Sequence, residues 1–155
     1  MFGRPLNRKL DIYTDGSSFN NGKDDAIAGL GVWFGHGDHR NAAQPLGPGK
    51  QTNQRAELKA VKIALERAPN ENVIIHSDSK YTIDCVTYLW MNWEVESWYK
   101  SAGILMENTD LIRPIVEIME NRKCRFLTTG FTWVKGHSGN KGNEAADALA
   151  REGSK

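Results

Sequence analysis

Twice along the chain a short apolar segment ends in an aspartate that is followed at once by a turn or helix signal. Residues 9–15, KLDIYTD, alternate Leu10, Ile12 and Thr14 with polar neighbours and reach the dipeptide Asp15-Gly16, which reads as a strand ending on a carboxylate. Residues 72–78, NVIIHSD, form an apolar run that ends at Asp78 and meets Ser79, so a second strand delivers a second carboxylate to a strand-to-helix junction. Charged groups are rarely buried unless paired. A fold that gathers such carboxylates needs cations to offset their repulsion.

The segments between and after these two strands supply the rest of a mixed architecture. Residues 26–34 form an apolar run containing Gly29 and Gly31, and residues 40–46 can add a third strand, so an antiparallel meander is the economical reading. After Pro48-Gly49, Thr52 can cap a helix through Ala68, with Glu57, Val61, Ala64 and Ala68 recurring at spacings of four, three and four. Glu57 therefore lies on or beside the buried stripe. A helical pattern follows Ser79 to about Trp90, residues 92–103 are Trp-rich and irregular, and helix returns near Thr109 despite Pro114. Residues 124–134 read as a fifth strand. After the loop GHSGNKG, residues 143–151 form a last helix carrying Asp147. The expected fold is α/β (α+β): a mixed five-stranded sheet flanked by helices in the order βββαβα(α)αβα.

The length of 155 residues suits one domain, expected over residues 9–153 and preceded by a flexible tail or linker remnant at residues 1–8. Hydrophobic residues at 39% and charged residues at 25% argue against a disordered or fibrous chain. No run of eighteen apolar residues occurs, so no membrane partner is expected. Cys85 and Cys124 have no CxxC spacing and there is no Asn-x-Ser/Thr acceptor. This pattern suggests two core thiols in an intracellular protein of nucleus, cytoplasm or mitochondrion. Net charge is +1, and without the three basic residues of the first nine the remainder holds 17 basic against 19 acidic groups. Bulk charge thus announces no polyanion partner.

Each carboxylate has an ordinary explanation when taken alone. Asp15-Gly16 is a common turn, Glu57 can lie flat on a helix flank, Asp78 can favour a helix N-terminus, and Asp147 can belong to a solvated face beside Glu144. His137, between Gly136 and Ser138-Gly139, sits on an exposed loop and could move protons. An oxygen-only set of ligands would suit magnesium or manganese.

In combination, TDGS at 14–17, TNQRAEL at 52–58, SDS at 77–79 and GHSGNKGNEAAD at 136–147 resemble the ordered motifs of type 1 ribonuclease H, the ribonuclease HI family. The resemblance implies a ribonuclease H-like fold. It also implies an endonuclease that cuts the RNA strand of an RNA/DNA hybrid with two Mg2+ ions, Mn2+ being a possible substitute, and leaves 5′-phosphate and 3′-hydroxyl ends. It carries the catalytic and metal-binding roles onto Asp15, Glu57, Asp78 and Asp147, and a proton-transfer or product-release role onto His137. By the same resemblance Asn21, Gln54 and Glu57 face the RNA strand, Lys50, Thr52 and Asn108 form a pocket for a DNA phosphate with Asn53 between the strands, and Tyr81 and Trp93 line the DNA channel. Where relatives carry a lysine-rich protrusion, this chain reads Glu94-Val95-Glu96, which implies weaker and less salt-sensitive binding. A monomer is expected.

Three other functions share parts of this pattern. The chain could be the ribonuclease H domain of a retroelement reverse transcriptase, a catalytically silent hybrid-binding module, or an exonuclease or integrase-type relative on the same fold. The intact carboxylates and His137 disfavour the silent module.

Overall fold

The computed structural model describes residues 8–101 and 103–155, so most of the tail expected at residues 1–8 lies outside the described residues. Five strands form one mixed sheet in the order β3-β2-β1-β4-β7: β1 (Leu10–Phe19), β2 (Ile27–Trp33), β3 (Ala42–Pro45), β4 (Val73–Ser77) and β7 (Thr129–Trp133). The first three are an antiparallel meander, while β1–β4 and β4–β7 are parallel. Helix α1 (Asn53–Arg67) joins the antiparallel and parallel halves. Helix α2 (Lys80–Asp84), a π-helical turn (Cys85–Leu89) and α3 (Trp90–Val95) follow β4, and α4 (Thr109–Cys124) and α5 (Lys141–Gly153) complete the chain. A hairpin of β5 (Tyr99–Ser101) and β6 (Ile104–Leu105) stands apart from the main sheet. The expected mixed five-stranded fold is the one observed. Among the described residues no helix is long and apolar enough to cross a membrane.

Three local readings are corrected. Asp15-Gly16 is no turn: β1 runs through it to Phe19, because Asp15 pairs with Gly31 and Gly16 with Leu30 across β2, and a continuous ladder outweighs the dipeptide's turn preference. The fifth strand begins at Thr129 rather than at residue 124, since α4 continues to Cys124 and ends in a turn where Phe126 adopts φ 62° and Leu127 N–H donates to the Arg122 carbonyl. Cys124 is consequently exposed, whereas Cys85 is a core thiol, which burial pushes up to about 11. The segment after Trp93 is not wholly irregular either. Helix α3 extends to Val95, and Trp98, at φ 69°, is buried. Pro114 lies in the second turn of α4, where it deprives the Asp110 carbonyl of a helical donor.

The main core lies between the sheet and α1 and α4. Ile12, Leu30, Val32, Val73 and Ile75 from the strands meet Leu58, Val61, Leu65, Ile112 and Ile115 from the helices. Arg122 closes its lower end. Fully buried, it donates to the carbonyls of Ala68, Glu71 and Thr128 and to Thr129 Oγ1, so one guanidinium satisfies four acceptors where α1, α4 and β7 converge.

At two glycines, one on each face of the sheet, helix backbone comes as close as side chains do elsewhere. A Cβ on Gly16 would lie 2.6 Å from Glu57 N, and one on Gly31 would collide with the Ala146 carbonyl of α5. The expected outcome of Gly31→Ala is a loss of about 1–3 kcal/mol in urea unfolding, because the obstructing atom is backbone and α5 must shift. A neutral result would show that α5 is not clamped there.

Candidate active site

The parallel pairing of β1 with β4 ends at Tyr13 and His76. Beyond that rung the two strands are no longer tied, and Asp15 and Asp78 stand at the mouth of the resulting crevice, at the carboxyl end of the parallel strands. Asp15 shares its sheet face with Gly31, the face on which α5 lies. Glu57 comes from the other side on the first turns of α1, whose N-terminus is capped by Thr52 Oγ1 accepting from Arg55 N–H at 3.1 Å. Asp78 precedes α2, capped in the same way by Ser79 accepting from Thr82 N–H.

Asp15, Glu57 and Asp78 each offer an oxygen within 4.8 Å of the other two. Asp15 and Glu57 are buried, and Asp147 of α5 adds its field to Asp15. Burial is the first cause that lifts the Asp15 carboxyl from 3.8 to about 7, with Asp78 and Asp147 adding repulsion against an opposing contact from Glu57. Burial and then the negative charge of Asp15 likewise hold Glu57 well above its ordinary value. Glu57 Oε2 is buried and has no hydrogen-bond partner among the described residues. An unpartnered buried carboxylate oxygen beside two further carboxylates is a donor set fitted to a hard divalent cation.

The other expected residues sort into groups. His137 is exposed at φ 55°, next to Gly136, where an added Cβ would lie 2.8 Å from Asp78 Oδ2. Asn21 and Asn53 are adjacent, with Asn53 N–H donating to Asn21 Oδ1 at 3.4 Å, and Gln54 is exposed on the same helix start. Asn108 accepts from Arg55 Nη1 at 3.3 Å and donates to the Tyr81 hydroxyl at 2.9 Å, so Thr52, Asn108 and Tyr81 are joined through Arg55. Arg55 in turn makes a bidentate pair with Asp110 at 2.9 and 2.7 Å. Lys50 is exposed in the loop that precedes Thr52. Trp93 packs near Trp98 with ring centroids 6.3 Å apart.

Sequence reasoning did not single out Arg55, Asn143 or Trp133. Arg55 lies inside TNQRAE, which could have marked it. Asn143 is buried in α5 with Nδ2 3.5 Å from Asp78 Oδ2, and Trp133 donates its indole N–H to the Asp78 carbonyl at 3.1 Å. Neither link has a local sequence signal.

The family described as RNase H matches residues 7–155. The chain belongs to the ribonuclease H family. It is 42% identical over 142 residues to a ribonuclease H of Schizosaccharomyces pombe, covering 92% of this chain and 52% of that one. It is 37% identical over 147 residues to ribonuclease H1 of Homo sapiens, covering 93% and 49%. With a ribonuclease H of Actinobacillus succinogenes it shares 34% over 150 residues, covering 96% and 91%. The chain thus spans about half the length of the eukaryotic relatives and most of the bacterial one. Among solved structures, a type 1 ribonuclease H with the type 2 active-site motif is similar at TM-score 0.71 and 25% identity, covering 93% of this chain and 71% of that one. The ribonuclease H domain of the foamy virus PFV has the same fold, with TM-score 0.68 at 23% identity and 93% of each chain covered.

The raised carboxyls set the pH response of the metal-free protein. Folded Asp15 and Glu57 keep protons that the unfolded chain releases near its ordinary carboxylate values, so their stabilising contribution is complete in acid and is lost as pH rises through about 7 for Asp15. Urea unfolding in chelator should therefore show the Asp15 contribution falling away between about pH 4 and pH 7. Asp15→Asn should flatten that fall and raise metal-free stability at the alkaline end by on the order of 2 kcal/mol. A flat wild-type profile would mean that the site is solvated and its carboxylates ionise freely.

Proposed function

We propose that this domain is an endonuclease that hydrolyses the RNA strand of RNA/DNA hybrids, leaving 5′-phosphate and 3′-hydroxyl ends. The observation that carries the reading is the gathering of Asp15, Glu57 and Asp78 within 4.8 Å at the end of the parallel strands, in a chain of the ribonuclease H family. Asp15, Glu57, Asp78 and Asp147 would hold two divalent ions, Mg2+ with Mn2+ as substitute. Bound there, divalent ions supply Lewis-acid stabilisation of charge on the phosphate and a more acidic water.

The chain's own groups do the remaining work. Burial of Asp15 and Glu57 excludes water from one side of the cluster. His137, on its exposed loop, is the group that takes or gives a proton at an imidazole nitrogen and moves aside for departing product. The 2′-hydroxyl distinguishes RNA from DNA by offering both a donor and an acceptor. Glu57, Asn21, Gln54 and the backbone after Asp15 supply groups of both kinds for it. On the DNA side the Thr52 hydroxyl, although it accepts from Arg55 N–H, still has a proton to donate. With Lys50 and Asn108 it makes a phosphate site, and Asn53 lies between the strands. Tyr81 and Trp93 offer aromatic surface to the sugars.

Identities of 34–42% to ribonucleases H of yeast and bacteria, against 21–23% to foamy-virus proteins, favour a cellular enzyme over a reverse-transcriptase domain. A cellular enzyme would work inside the cell, as a monomer.

End-labelled hybrid, duplex RNA and duplex DNA incubated in Mg2+ test the reading. Only the RNA of the hybrid should be cut, Asp78→Asn should lower the rate by roughly 10²–10³-fold or more, and His137→Ala by about 10²-fold with metal binding unchanged. Hybrid binding without cleavage in either metal would leave a silent binding module instead. Glu94 and Glu96 are exposed at the end of α3. If that end follows the hybrid's backbone, Glu94→Lys/Glu96→Lys should steepen the dependence of log affinity on log salt by about 1–2. An unchanged slope would remove this helix end from the interface.

A further inference from the structure

The C-terminal end of β4 is held in an unusual way. Strand β7 pairs with it in parallel up to Ser77 opposite Trp133, and the last backbone rung is Val134 N–H donating to the Ser77 carbonyl at 2.9 Å. The next carbonyl along is that of Asp78, and there β7 has already turned into the loop that carries His137. The donor it finds is a side chain: Trp133 Nε1–H reaches back to Asp78 O at 3.1 Å. The ladder is thus extended one residue past the end of its partner strand, onto a residue whose carboxylate belongs to the cluster.

Two further contacts suit this arrangement. Lys80 Nζ lies 4.5 Å above the centre of the Trp133 ring, a cation–π contact that fixes the plane of the indole and so the direction of its N–H. The carboxylate end of Asp78 is approached from the other side by Gly136 and by Asn143 Nδ2 at 3.5 Å. Backbone and side chain of Asp78 are therefore gripped separately. The indole is 46% exposed, so its contribution to core burial is limited and its polar contact is the more specific part of its role.

We infer that Trp133 is a positioning residue: its indole N–H fixes the Asp78 main chain so that the carboxylate stays aligned with Asp15 and Glu57 for a divalent cation. This rests on the metal-dependent reading of the cluster. A ligand oriented by a hydrogen-bonded neighbour binds its ion with less reorganisation, and loss of such a neighbour commonly lowers metal affinity or activity by about 10–100-fold.

Trp133→Phe keeps an aromatic face for Lys80 while removing the donor together with part of the ring. Calorimetric titration of Mn2+ into the metal-free protein should show affinity weakened by roughly tenfold in this variant, with the unfolding midpoint in chelator little changed. In hybrid cleavage, kcat should fall and the Mg2+ concentration for half-maximal rate should rise, while KM for the hybrid stays within about twofold, since the substrate-facing groups are untouched. Unchanged Mn2+ affinity in Trp133→Phe, or a loss that merely tracks a lowered unfolding midpoint, would overturn the inference. Because the Mn2+ titration needs no substrate, it decides the role of Trp133 even if the wild type fails to cut a hybrid, and that failure would instead count against the proposed activity.

Discussion

The short parallel pairing of β1 with β4 is the constraint on which the rest of the site depends. It ties the two strands from Leu10 and Val73 to Tyr13 and His76 and then stops. Asp15 and Asp78 each lie two residues past that stop. Had the pairing continued, the crevice between Asp15 and Asp78 would be closed by ladder bonds. Had it ended earlier, the two carboxylates would have no common frame. β1 nevertheless remains rigid past this point because its other edge stays paired with β2 through Phe19. Asp15 is accordingly held by one edge of its strand while the other is open.

Glycine at Gly16 and Gly31 turns this frame into a four-sided cluster. Helix–sheet spacing is normally set by side chains, but here α1 and α5 approach β1 and β2 by backbone contact. That brings Glu57 and Asp147 in from opposite faces to within the field of Asp15. The cost is electrostatic. Desolvation and mutual repulsion both favour the protonated forms of Asp15 and Glu57, so the metal-free fold is least at ease at neutral pH and above. The core around Leu58, Val61 and Ile75, with Arg122 satisfying four acceptors at its base, supplies the stability against which that strain is held.

Local patterning could place Asp15 and Asp78 after apolar runs and Glu57 beside a buried stripe, but each had an ordinary explanation alone, and only the combined motifs, by resemblance, joined them with Asp147. The helix starts were legible locally, since Thr52 and Ser79 cap within three residues. What escaped was non-local. The Asp15-Gly16 dipeptide looks like a turn until β2 is known to pair alongside it, and Cys124 looks like a strand residue until Arg122 is seen to anchor the end of α4. Trp133 and Asp78 are 55 positions apart, as are Arg55 and Asp110, and no periodicity connects them. Gly29 and Gly31 were visible only as members of an apolar run, whereas their use is to admit α5.

Burial also ranks the four carboxylates by how readily each could serve a cation. Glu57 Oε2 is buried and has no competing partner among the described residues, so a cation there would displace no contact with them. Asp147 is different: Arg151, one turn further along α5, holds its Oδ2 at 2.9 Å. That pair is largely exposed on the arginine side, and exposed pairs of this spacing are worth only about 0.3–0.5 kcal/mol. Arg151 is therefore a weak competitor that is easily displaced, and it keeps Asp147 partly neutralised when no cation is near. The interior pair is therefore the part of the cluster that most needs a neighbouring positive charge in order to ionise, whereas the rim carboxylate already has Arg151 beside it.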